Sequence, residues 1–289
     1  MKLSLFPRRH GSVVVRQDKV PPNLYRPVSQ ACTQDQMIDP AYAYWCARIA
    51  EVPRMHRKQW EFCYILQVLA RYGMLAPGLR GLGFGVGGEP LAAVFAARGA
   101  SILATDLEPQ RAAEEGWVDT AQHASGKEAL NDRGLCDPAA FDALVDFRFM
   151  DMNAIGSDLA GEFDFCWSAC ALEHLGSIRQ GLEFIEHSVD CLKPGGLAVH
   201  TTEFNCESDD DTLDDASTVL FRKRDFLELA NRLAAKGCHL AFNFELGEQP
   251  LDKHIDVAPY SVDNHLKLRI DQWVTTSFGI VVRKPLPRR

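Results

Sequence analysis

The sequence predicts an α/β fold: a mostly parallel sheet with helices on both faces, an antiparallel last strand and a helical cap at the N-terminal end. Three observations predict it. From Leu79 onward, short apolar runs alternate with amphipathic ones, the rhythm of strand–helix–strand units. The first of these strands enters a glycine-rich stretch, GLGFGVGGEP at 81–90, which leads into a helix. Two strand-like runs close the chain, HLAFNFEL at 239–246 and QWVTTSFGIVVRK at 272–284. The segment between them has little helical period and reads as a loop insertion, so these two strands are expected to pair antiparallel.

In chain order, residues 1–40 carry Pro7, Pro21, Pro22, Pro27 and Pro40. No helix of normal length fits among them, which leaves an irregular arm with one short strand at SVVVRQ. Residues 42–72 turn helical, interrupted at Pro53, and RKQWEFCYILQVLARYG ends at Gly73. LRGLGFG is the first strand of the main body, PLAAVFAARG a helix and SILATD the second strand. PQRAAEEGWVDTAQHA is a polar helix with Pro109 near its first turn. VDFRFMDM and EFDFCWSA are strands, SIRQGLEFIEHSVDCL an amphipathic helix, KPGG a turn, LAVHTTEF a strand and RKRDFLELANRLAAKG a helix. The expected organisation is an arm and helical cap over residues 1–74 and one main domain over 75–289.

Composition narrows the function. The chain has 289 residues, 46% of them hydrophobic, enough for one large core. Its formal net charge of -8 disfavours nucleic acid as a partner, because phosphate contacts need clustered Lys and Arg. Nine cysteines, an odd number without a C-x-x-C pair, read as buried reduced thiols. No run approaches the roughly 20 apolar residues that span a bilayer, and the first residues lack a signal-peptide core. A cytoplasmic protein without membrane contact is expected, and a homo-oligomer is compatible with the sequence.

The glycine stretch fits two fingerprints. Gly83, Gly85 and Gly88 spell the dinucleotide pattern, while Gly83, Gly85 and Gly87 spell the loop that cradles S-adenosylmethionine (SAM). Both need backbone approach to a ligand at a helix N-terminus. Both also need an acid ending the second strand, and Asp106 stands there, 18 positions after Gly88. A nicotinamide enzyme would need a Tyr/Lys or His/Asp catalytic set, and none stands out. Instead Asp151 ends the third strand, the fourth runs into ACALEHL, LKPGG precedes the fifth, and two late strands follow.

With these features in order, the chain resembles the Rossmann-like SAM-dependent methyltransferases, over roughly Leu75 to Lys284. The resemblance implies a seven-stranded sheet and S-adenosyl-L-methionine as cofactor, with S-adenosyl-L-homocysteine as product. It implies that Gly83, Phe84, Gly85, Val86 and Gly87 line the methionine and ribose, that Asp106 takes the ribose hydroxyls, and that Leu107 packs on adenine. Asp151 and Met152 would sit at the adenine amine and ring face, Ser168 and Ala169 beneath the sulfonium. The family usually carries an acid two positions before the first glycine, where it helps hold the methionine ammonium. Here that position is Gly81. Glu89 or Glu61 would then supply the charge; otherwise Glu89 is an acid placed in a helix's first turn by the dipole.

Methyl transfer to an alcohol or amine needs alignment and a proton acceptor. Candidate catalytic residues are His174, Glu173 and Glu203. ACALEHL is similar to the E-x-x-E-H metal motif of two subgroups, ubiquinone-pathway and small-RNA 2′-O-methyltransferases. Its first Glu is Cys170 here, which removes a hard oxygen ligand, so no metal is expected; Glu173, His174 and Glu203 would make only a partial set. The acidic run ESDDDTLDD at 207–215 reads as a solvated lid. The polar edge of the N-terminal helix, from Arg57, Lys58, Trp60 and Glu61, is expected to face ligand. The resulting expectation is a SAM-dependent methyltransferase of a small-molecule or glycan acceptor, first a sugar hydroxyl. An RNA 2′-O-methyltransferase and a non-catalytic SAM-fold binding protein are the alternatives.

Overall fold

A computed structural model describes residues 11–16, 20–114 and 123–287. The N-terminal segment holds strands β1 (Ser12–Val15) and β2 (Ser29–Ala31), helices α1 (Gln34–Met37) and α2 (Pro40–Arg48), strand β3 (Met55–His56) and helix α3 (Arg57–Arg71). The central part alternates β4 (Arg80–Phe84), α4 (Leu91–Ala96), β5 (Ser101–Asp106), α5 (Pro109–Glu114), α6 (Pro138–Leu144) and β6 (Val145–Phe149). It continues through β7 (Phe163–Ala169), α7 (Ile178–Asp190), β8 (Leu192–Asn205), α8 (Lys223–Ala235) and β9 (His239–Asn243). After these come α9 (Pro250–Lys253), β10 (Ile255–Asp256), β11 (Asn264–His265), β12 (Lys267–Ile270) and the long β13 (Trp273–Arg283). The helix expected over 109–124 falls partly outside the described residues.

One sheet runs β1-β9-β2-β13-β8-β7-β4-β5-β6. Strands β4 to β8 are parallel, and β13 runs antiparallel to β8 from Thr275–Asn205 to Arg283–Leu197. The chain leaves β4 toward β5 and β6, then returns to lay β7 on the other side of β4. That reversal opens a crevice above the carboxyl ends of the strands, the usual ligand position in such sheets.

Two expectations about the periphery change. β9 and β13 do pair antiparallel, but only at His239–Arg283, because β2 from the arm is inserted between them. The segment between β9 and β13 is not a bare loop: β12 pairs antiparallel with the start of β13, and β10 pairs with β12. Pieces of two to four residues are too short to show a period in sequence.

Local chemistry starts the helices. Asp39 accepts from the Ala41 N–H with Pro40 in the first turn of α2, and Ser177 accepts from the Gln180 N–H at the head of α7. Helix α3 is buried along most of its length and lies across β13 and β8. Tyr64 stacks on Trp60 at 4.7 Å and donates to the Val28 carbonyl at 2.6 Å. Its ring occupies the space a side chain at Gly279 would need, since a Cβ there would stand 2.0 Å from the ring. This close approach sets α3 against the sheet and brings its first turn over the crevice. All nine cysteines are free, and all but the half-buried Cys206 are buried. Among the described residues, no helix is long and apolar enough to cross a membrane.

Candidate active site

A cavity of about 960 Å³ lies over the carboxyl ends of β4, β5, β6 and β7. The loop after β4 contributes Gly85 to Glu89, and β5 ends in Asp106 and Leu107. The segment after β6 brings Met150 to Asn153, and β7 brings Ala169 with Cys170 and Ala171. Lys58, Glu61 and Phe62 close it from α3, while His174, Gln180 and Asp215 to Ser217 close it from the side of α7.

The glycine loop is a backbone cradle. Gly85 and Gly87 have φ of 56° and 49°, which disfavour any side chain. A Cβ at Gly85 would also press on Ala171 at 2.9 Å and on the Met152 sulfur at 3.2 Å. Asp106 holds the loop: one carboxylate oxygen accepts from the Gly87 N–H at 3.0 Å and the Ala124 N–H at 2.8 Å, the other from Leu107 N–H at 2.8 Å. Burial pushes the Asp106 carboxyl above its usual range, against these hydrogen bonds. The oxygen facing only Leu107 keeps lone-pair capacity toward the cavity.

Strand alternation sorts the β7 residues, because successive side chains point to opposite faces. Trp167 and Ala169 face the cavity side. Trp167 donates its indole N–H to Glu89, which lines the cavity and is 6% exposed. Ser168 points to the other face and is hydrogen-bonded to His200 at 2.9 Å. Alternation acts on β4 as well. Phe84 is fully buried edge-on against Phe184, and Gly83 leaves room for the Trp167 ring, 2.4 Å from where its Cβ would be. Of the anticipated cofactor residues, Gly85, Val86, Gly87, Asp106, Leu107, Asp151, Met152 and Ala169 therefore line the cavity; Gly83, Phe84 and Ser168 do not.

The three anticipated catalytic residues separate in the same way. His174 lines the cavity, with Nδ1 2.8 Å from the Ser217 carbonyl oxygen. A carbonyl only accepts, so Nδ1 carries the proton and Nε2 the lone pair in the neutral ring. Glu173 is buried beneath it, 3.9 Å from Nε2, and accepts from the Thr202 hydroxyl at 2.9 Å. Burial pushes the Glu173 carboxyl up. Glu203 is buried in an ion pair with Arg57 and accepts from Thr275 at 2.8 Å. Neither glutamate lines the cavity.

No protein-family model matches the chain, and no curated protein matches it. Solved structures do. The 4+2 cyclase SpnF superposes with a TM-score of 0.50 at 16% identity, covering 90% of this chain and 100% of that one. The arsenic(III) S-adenosylmethionine methyltransferase of Chlamydomonas reinhardtii gives 0.43 at 15% identity, over 74% of this chain and 65% of that one. A SAM-dependent methyltransferase of Aquifex aeolicus gives 0.40 at 16%, over 75% and 88%. The sheet order and the antiparallel β13 agree with the SpnF superposition. The chain has a Rossmann-like α/β fold.

Within this fold, the N-terminal segment adds β2 inside the sheet and β1 at its edge, beyond the seven strands β6-β5-β4-β7-β8-β13-β9. The acidic run is not a purely solvated lid. Asp214 accepts from the Ile178 N–H at 2.7 Å at the head of α7, Asp209 accepts from the Arg224 N–H at 2.7 Å, and Asp215 reaches the cavity. Ligand atoms of Cys170, Glu173 and Glu203 lie within 4.8 Å of one another, close enough to share an ion. Their donor set is poor for a hard cation: burial pushes the Cys170 thiol up, and Glu203 already has Arg57. Of the α3 residues, Lys58 and Glu61 reach the cavity, while Arg57 and Trp60 are packed beneath.

Proposed function

We propose that this chain is a SAM-dependent methyltransferase acting on a small polar acceptor, first a hydroxyl of a sugar or glycan. The observation that carries the reading is one cavity with two differently built ends. At one end lie the glycine cradle, Asp106 and the Asp151–Met152 pair, the residues suited to an adenosine. Toward α7 lie His174, Gln180, Asp215 and Ser217, a polar lining, and Phe62 of α3 is the one Phe, Tyr or Trp on the cavity among the described residues. A flat aromatic acceptor would find little to stack on there, and a polyhydroxylated one finds donors and acceptors on several sides.

SAM, when bound, supplies an electrophilic methyl group on a sulfonium. The chain's own residues align the acceptor and manage its proton. His174 presents the Nε2 lone pair, its tautomer held by the Ser217 carbonyl, and accepts the hydroxyl proton as the acceptor oxygen attacks. Glu173 acts through His174: its buried carboxyl lies against the ring and steadies the imidazolium formed. Asp106 would hold the ribose hydroxyls with its remaining lone pairs, and Gly85 and Gly87 let backbone approach the methionine.

The test is methyl transfer from label-carrying SAM to separate pools of sugars, amines and phenols. Label in the sugar pool is expected. Label confined to amines, or none in any pool despite cofactor binding, would remove the acceptor assignment.

A further inference from the structure

Glu89 is a buried acid without a cation. It is 6% exposed and lines the cavity beside the glycine loop. Its hydrogen-bond partner is the Trp167 indole, and among the described residues no Lys, Arg or His makes an ion pair with it. Its charged neighbours, Asp106 and Glu61, are both acids. A buried carboxylate in that setting is costly unless something positive comes to it. The indole N–H only donates, so it fixes one carboxylate oxygen as acceptor and leaves the other toward the cavity.

Other acids are not placed for the same work. Glu61 is already served by Arg57, Lys58 and the Ser277 hydroxyl. Position 81 is closed: a Cβ on Gly81 would stand 2.4 Å from the Phe165 ring and 2.8 Å from Ile102. On the same cavity, Lys58 exposes 43% of its side chain and meets Glu61 at 3.6 Å, a long pair that leaves ammonium donors for another acceptor.

We propose that Glu89, braced by Trp167, receives the α-ammonium of the cofactor's amino-acid end, and that Lys58 receives its α-carboxylate. The assignment rests on the cofactor reading above and adds the residues that recognise the zwitterion. The acid stands on the far side of the glycine loop and not at position 81 near the start of β4, where the Phe165 ring takes the space a side chain would need.

The test compares two ligands on the intact protein by calorimetry. S-adenosylhomocysteine carries the amino-acid end, and 5′-methylthioadenosine lacks it. Glu89→Gln keeps shape and removes charge; it is expected to weaken S-adenosylhomocysteine roughly tenfold to hundredfold while leaving 5′-methylthioadenosine within about threefold. Lys58→Met is expected to discriminate in the same sense. Equal losses for both ligands in Glu89→Gln would mean a purely structural glutamate and overturn the proposal, as would unchanged binding of S-adenosylhomocysteine. Wild-type protein that binds neither ligand would instead remove the cofactor reading itself.

Discussion

Arg57, at the start of α3, is ion-paired with Glu203, near the end of β8, and both side chains are buried, 6% and 4% exposed. From β13, the Ser277 hydroxyl accepts from Arg57 at 3.0 Å and donates to Glu61, and the Thr275 hydroxyl donates to Glu203 at 2.8 Å. The pair ties the N-terminal helix to the sheet directly beneath the cavity. Removing Glu203 leaves the buried Arg57 only its longer, 3.7 Å contact with Glu61, so Glu203→Met is expected to cost about 3–5 kcal/mol. Arg57→Met together with Glu203→Met is expected to be less damaging than either single change. Urea unfolding of wild type, Arg57→Met, Glu203→Met and the double variant checks this; additive losses would show that the pair is not coupled.

His174→Ala is expected to lower kcat by roughly a hundredfold or more while S-adenosylhomocysteine affinity stays within a few fold. Glu173→Gln is expected to lower it less, because Glu173 touches His174 and not the cavity. Turnover unaffected in His174→Ala would leave that ring a structural role only.

Restoring an acid at position 81 is expected to fail. Gly81→Asp drives a side chain into Phe165 and Ile102 and is expected to destabilise the fold by about 1–3 kcal/mol through overpacking. It should not rescue Glu89→Gln. Thermal melting and cofactor titration of the single and double variants read both effects, and a rescued affinity would contradict the relocated acid.

His200 gives the protein an acid sensitivity of its own. Its Nδ1 faces the Ser168 hydroxyl at 2.9 Å and its Nε2 the Ser188 hydroxyl at 2.9 Å. Ser188 donates to the Ile185 carbonyl at 2.8 Å, so Nε2 donates to Ser188 and Nδ1 accepts from Ser168. Burial lowers the imidazole to about 3, against about 6.5 in an unfolded chain. The unfolded state therefore binds the extra proton, and stability present above about pH 6.5 is lost as pH falls toward the folded value, by a few kcal/mol. Unfolding midpoints measured down the pH scale should fall less steeply in His200→Gln. An identical slope would place the sensitivity elsewhere.

Much of the central sheet is legible in sequence because parallel strands buried on both faces are continuous apolar runs, separated by helices with their own caps. The glycine loop and Asp106 are legible for the same reason: each ends a strand. β2 is not legible, since Ser29–Ala31 is a three-residue strand among prolines whose place comes from docking between β13 and β9. The direction of Ser168 follows from alternation once Trp167 is known to face the loop, but nothing local says so. Glu89 looks like a first-turn helix acid in sequence, yet α4 begins at Leu91, and its partner Trp167 lies 78 residues away. Partnerships across the sheet carry no local pattern, and the site's most informative contact is one of them.

The central claim is that the cavity over β4 to β7 holds SAM. Calorimetric titration of wild-type protein and Gly85→Val with S-adenosylhomocysteine, with NAD in parallel, tests it most directly. One-to-one binding of S-adenosylhomocysteine by wild type is predicted, with binding lost in Gly85→Val, whose side chain would collide with Ala171 and Met152, and none by NAD. Binding of NAD in place of S-adenosylhomocysteine, or equal affinity in Gly85→Val, would contradict the account.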